Sequence, residues 1–182
     1  MILETLSFIG EKLNENEVLW AVGASLLLNQ YGLIDKPNDI DLMVDQKDYP
    51  KVHQILKGLG SEVSIETKSS DYETECFSKY IIKGVSIDVM AGFIINHKEG
   101  QYKYEFDSSS VNERLLINDV EIPFTALEDW FVLYQLMKNR EAKVRLIEDY
   151  LLTAGIKRKD LLERALTKVL PKEVKEKISN FL

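Results

Sequence analysis

At 182 residues, with 45% apolar and 29% charged residues, the chain has room for one full hydrophobic core and the makeup of an ordinary soluble globular protein. Its net charge of −7 removes the general attraction to phosphate backbones on which non-specific nucleic-acid binding depends. No apolar run approaches a membrane span, and Cys76, the single cysteine, cannot close a disulfide within the chain, which fits a reducing cytoplasm.

Ile2, Leu6, Ile9 and Leu13 recur at helical spacing and predict a helix over 2–16. The segment Met1–Leu6 has no basic stretch or cleavage site, so no secretory signal is expected. Val18–Val22 reads as a buried strand ending in Gly23-Ala24-Ser25, and a helical apolar run, Leu26–Tyr31, follows. Glycine at such a junction lets the backbone approach a ligand. The first N–H groups of a helix lack intrahelical partners and bind phosphate well. Gly23 and Ser25 are therefore candidate phosphate donors, through the Gly23 N–H and the Ser25 hydroxyl.

After Gly32 and Pro37 the chain reaches Asn38-Asp39-Ile40-Asp41-Leu42-Met43-Val44. A strand alternates its side chains with a period of two, so Asp39 and Asp41 share one face while Ile40, Leu42 and Val44 take the other. A helix is predicted over 47–58, carrying Val52, Ile55 and Leu56, with Gly58 and Gly60 where its C-cap should be. Glu62–Thr67 and Glu75–Lys83 alternate like strands, and Gly84 turns the chain into Val85–Ile95, expected as one long strand bent at Gly92. This strand carries Asp88 between Ile87 and Val89. Bare carboxylates in apolar strands are costly unless something neutralises them, and three on one face make a site for a hard divalent cation. Strand-like pieces at 101–106 and 111–122 follow, with turns at Gly100 and Asn118-Asp119.

The period changes at Pro123. Thr125-Ala126-Leu127-Glu128 has the form of a capping box, opening a helix with Trp130, Leu133, Tyr134 and Met137. Further helices are predicted over about 140–153, 158–169 and 171–181. The expected organisation is α+β: a mixed sheet with flanking helices over 1–124, then a helical C-terminal subdomain over 125–182. Lys138, Arg140, Lys143 and Arg145 cluster in that second part, interleaved with Glu141, Glu148 and Asp149, a composition that suits a solvated helix face or a basic groove. His53 and His97 read as surface or packing residues, and Trp20, Tyr31 and Trp130 as core or pocket-wall aromatics.

Taken together, Gly23, Ser25, Asp39, Asp41 and Asp88 resemble the signature of the nucleotidyltransferase superfamily related to polymerase beta. That signature is a Gly-Ser or Gly-x-Ser turn, a short helix, Asp-x-Asp on the next strand and a third carboxylate on a later one. The resemblance covers roughly residues 15–155, and the small bacterial antibiotic-type enzymes and their relatives are similar in style at Asp88–Phe93 and Leu127–Trp130. It implies an Mg2+-dependent enzyme that moves a nucleoside monophosphate from a nucleoside triphosphate to an acceptor hydroxyl. Asp39 and Asp41 would hold one or two ions, and Asp88 would complete the metal site or take the acceptor's proton. Lys138, Arg140 and Lys143 would face the triphosphate; where some relatives carry aspartate after the lysine, this chain has Val144. The implied acceptor is a small molecule such as an aminoglycoside or lincosamide antibiotic, a cationic acceptor being drawn to an acidic protein. A toxin-type enzyme acting on protein or tRNA, and a non-catalytic nucleotide-binding regulatory module, are the alternatives.

Overall fold

The chain, described here from a computed structural model, is defined over residues 1–66 and 69–182. Helix α1 (Ile2–Glu15) buries Leu6, Ile9 and Leu13, the stripe its spacing predicts. Strand β1 (Trp20–Val22) then leads into α2 (Ala24–Gln30), and β2 (Ile40–Val44) into α3 (Tyr49–Leu59), which closes at Gly60. Strands β3 (Ser61–Val63), β4 (Cys76–Ile82) and β5 (Val85–Ala91) come next. The alternation read from Glu62 ends at Thr67, which lies outside the described residues. A hairpin of β6 (Ile94–His97) and β7 (Gly100–Lys103) stands apart from the sheet, and β8 (Val111–Ile117) and β9 (Val120–Thr125) return to it. Four helices finish the chain: α4 (Leu127–Leu136), α5 (Glu141–Ala154), α6 (Lys159–Leu166) and α7 (Lys172–Ser179).

Among the described residues the main sheet runs β3-β4-β5-β2-β1-β9-β8. The pairs β2–β5 and β1–β9 are parallel and the others antiparallel, so the sheet is mixed. Its two carboxylate-bearing strands, β2 and β5, lie side by side with Asp41 directly opposite Asp88. Ile40, Leu42, Ile87 and Val89, alternating with the aspartates, are buried, which forces Asp41 and Asp88 onto the other face. One continuous hydrophobic cluster joins the sheet to Trp130, Phe131 and Leu133 of α4 and to Ile147 and Leu162 beyond it.

Three local expectations are corrected. The stretch 85–95 is two strands, because Gly92 sits at φ +62° and turns the chain out of the sheet into the β6–β7 hairpin. Pro123 lies inside β9, opposite Arg114, where the parallel neighbour β1 makes its register contact through Phe124 and leaves the proline's missing N–H without consequence. Thr125 does not cap α4. Its hydroxyl donates to the Val22 carbonyl and accepts from Trp130 Nε1, and Glu128 instead accepts from the N–H groups of Lys157 and Arg158 at the start of α6. Tertiary partners outcompete the local box.

Candidate active site

The centre of the site is set by strand register. Asp41 in β2 and Asp88 in β5 are paired across a parallel ladder, and Asp39 precedes β2 by one residue. Ligand-capable oxygens of the three carboxylates lie within 4.8 Å of one another. Burial pushes the Asp41 carboxyl up to about 8, with the charges of Asp39 and Asp88 adding to the rise and Lys143 and Lys79 opposing it. Asp88 is also raised, chiefly by burial, against the pull of Lys79. Lys79 comes from β4, the other neighbour of β5, where it is the register partner of Asp88, and its Nζ stands 3.2 Å from Asp88 Oδ1. Lys79 is thus the charged partner of Asp88, whose Oδ1 is buried. An all-oxygen donor set of three mutually repelling carboxylates suits a hard cation such as Mg2+, so these residues fit one.

The turn before α2 stands over this cluster. Ser25 Oγ donates to Asp39 Oδ1 at 3.3 Å, so it orients a carboxylate. The Gly23 N–H donates to the Asp41 carbonyl at 3.0 Å, tying the turn to β2. It is therefore not a free phosphate donor as the sequence suggested; among the described residues the uncommitted donors are the first-turn N–H groups of α2, beginning at Ala24 and Ser25. A Cβ on Gly23 would lie 2.4 Å from Cζ2 of Trp130, so glycine is required here for the indole to pack against the turn. Ala24 adopts φ +49°, a left-handed conformation that costs a non-glycine residue about 1–2 kcal/mol and marks a strained segment at the site.

The far wall is helical. A cleft of about 760 Å³ is lined by all three aspartates, Ser25, Trp130 and Tyr134 on the sheet and α4 side, and by Arg140 and Lys143 at the start of α5. Lys143 Nζ lies over the Tyr134 ring, 5.0 Å from its centre. Burial and the neighbouring Arg140 lower the Lys143 ammonium below its usual range, while Asp41 and Asp39 support its charge. Of the basic residues predicted from sequence, Arg140 and Lys143 reach this cleft. Lys138 points elsewhere, with its Nζ 2.6 Å from Asp71 Oδ1.

No family model matches the chain, and no curated protein matches it in sequence. Solved structures do match it in fold. The protein TM1012 of Thermotoga maritima, assigned as a nucleotidyltransferase, superposes with a TM-score of 0.60 at 20% identity, over 83% of this chain and 92% of its own. ANT(2″)-Ia, solved with adenylyl-2″-tobramycin, gives 0.56 at 15% identity over 98% and 97% of the two chains. The lincosamide antibiotic adenylyltransferase LnuA, solved with lincomycin, gives 0.54 at 14% over 80% and 95%. The fold is that of the nucleotidyltransferases.

Within this nucleotidyltransferase fold the cleft holds residues that sequence reasoning left without a role. Lys79 sits at an ordinary alternating position of β4, and only the β4–β5 register brings it to Asp88. Tyr134 reads as one more apolar position of α4, although it ends in a hydroxyl. Tyr72, Glu73 and Glu75 form a rim from the irregular segment before β4. The two glutamates are held by Gln101 and Lys103 of β7, a hairpin whose position no local pattern announces.

Proposed function

We propose that this chain is a Mg2+-dependent nucleotidyltransferase that transfers a nucleoside monophosphate from a nucleoside triphosphate to the hydroxyl of a small acceptor. The observation that carries the reading is the register pairing of Asp41 with Asp88 beside Asp39, at the floor of a cleft whose opposite wall is cationic. Asp39 and Asp41 are the residues that would hold Mg2+, with Ser25 fixing the Asp39 carboxylate. The bound ion would offset the charge of the triphosphate and of the departing pyrophosphate. Arg140 and Lys143, with the first-turn N–H groups of α2, bind the phosphates. Asp88 takes the acceptor's proton as the acceptor oxygen bonds to the α-phosphorus and the bond to the bridging oxygen of pyrophosphate breaks. Burial raises its proton affinity, which suits a base, and Lys79 opposes that rise by supporting the ionised form.

Charge and the ligands of neighbouring structures support a cationic small-molecule acceptor. The cleft's rim carries Glu73 and Glu75 on a protein of net charge −7, which favours a cationic acceptor. An antibiotic of the aminoglycoside or lincosamide type has this chemistry or size, and two proteins of the same fold are known with tobramycin or lincomycin products or ligands. Calorimetric titration with α,β-methylene ATP and GTP, with and without Mg2+, tests the reading. Binding that requires Mg2+ and is lost in Asp41→Asn supports it, and absence of binding to either nucleotide with Mg2+ overturns it.

A further inference from the structure

The hydroxyl of Tyr134 is the cleft's unexplained polar group. Tyr134 is 2% exposed, yet its residue lines the cleft, and its Oη has no hydrogen-bond partner among the described residues. Asp41, Asp39 and Arg140, which line the same cleft, are close enough for their charges to act on this hydroxyl. Burial keeps the phenol firmly protonated, and it is a donor at every working pH. Its ring is packed at an angle against Trp130, 5.1 Å between centres, and Lys143 stands over its other neighbourhood at 5.0 Å. A phenylalanine would satisfy every one of these apolar contacts. A buried donor left unpaired destabilises the free protein, so its presence calls for a partner absent from the free chain.

We infer that Tyr134 is a phosphate-binding residue: its hydroxyl donates to a non-bridging oxygen of the bound triphosphate, in the cleft shared by the metal-holding carboxylates and Arg140. The Lys143 ammonium rests on the ring in the free protein and turns to the phosphates on binding, which opens the path between Oη and the ligand. A protonated donor suits an anionic partner, Arg140 and Lys143 line the same cleft to neutralise that anion, and donation to a charged oxygen is the stronger kind of hydrogen bond. The inference rests on the proposed triphosphate site and adds to it a specific group that reads the phosphate chain.

Tyr134→Phe removes one oxygen and keeps the packing. The expected result is an unchanged or higher melting temperature for the free protein, together with about tenfold or greater loss of affinity for Mg2+–α,β-methylene ATP by calorimetry. Lys143→Met should weaken binding as well, and in that background Tyr134→Phe should cost less than in the wild type, because the two act together. Wild-type affinity in Tyr134→Phe overturns the inference while leaving the nucleotide site standing. A lower melting temperature of the free variant overturns it too, since the hydroxyl then has a structural partner. Failure of the wild-type protein to bind the analogue removes the underlying site, and the inference with it.

Discussion

Asp41→Asn is the perturbation that separates a metal-holding carboxylate from a structural one. In the free protein Asp41 is pushed up from 3.8 to about 8, first by burial and then by Asp39 and Asp88. At pH 7 the folded chain therefore holds a proton there that the unfolded chain does not. Taking up that proton costs about 4 kcal/mol at 1.36 kcal/mol per pH unit. Asp41 keeps part of its surface open to the cleft, and solvent screening reduces the figure to about 2 kcal/mol. Asparagine mimics the protonated form, so the variant should be more stable than wild type by that amount in EDTA at pH 7, about 4–8 °C in melting temperature for a chain of this length. The sign follows from a raised folded-state value. Stability is fully present below 3.8, where both states are protonated, and declines as pH rises towards about 8. The advantage of the variant should thus vanish near pH 4. Excess Mg2+ should raise the wild-type melting temperature in proportion to the logarithm of its concentration and leave Asp41→Asn unmoved. Thermal melts at several pH values, with EDTA or Mg2+, read all of this. A loss of stability in metal-free Asp41→Asn would refute the reasoning and mark Asp41 as a hydrogen-bonded structural aspartate.

Asp88→Asn should reduce turnover by about 10²–10⁴-fold at saturating nucleotide, followed as pyrophosphate release, while changing affinity for the non-hydrolysable analogue only a few-fold; equal losses in both would move Asp88 from base to binding group. Gly23→Ala places a methyl 2.4 Å from the buried Trp130 indole, which is itself fixed by its bond to Thr125, and should cost about 1–3 kcal/mol in urea unfolding. Asp129, buried and bonded by Tyr104 Oη at 2.7 Å, is raised to about 7 by burial against the pull of that bond and of Arg164 and Arg158. Its contribution to stability should fall between pH 4 and 7 by at most about 4 kcal/mol, and Asp129→Asn, which still accepts from Tyr104, should flatten that slope in urea melts across the range.

Much of the site was legible without a structure, because its parts are local patterns. The period of two in Asn38–Val44 and Val85–Val89 orients Asp39, Asp41 and Asp88 relative to their apolar neighbours, and the Gly23–Ser25 turn is marked by the change from strand to helix spacing. Helices α1, α3 and the four C-terminal ones follow from their apolar stripes within a few residues. What the tertiary structure alone decided is which of these pieces meet. The parallel register of β2 on β5 sets Asp41 against Asp88, and the antiparallel register of β4 brings Lys79 to the same point. Of three similar basic residues within six positions, two enter the cleft and Lys138 is taken by Asp71, a choice made by a partner 67 residues away. Gly23 is small for the sake of an indole 107 positions on. Thr125 and Glu128 form a capping box by spacing, but Val22, Trp130 and the start of α6 offer buried partners, and a buried polar group left unpaired costs more than a local cap returns. Periodicity fixes the face on which a side chain lies; the partner it finds there depends on registers and helix docking between segments far apart in the chain, where local preference carries no information.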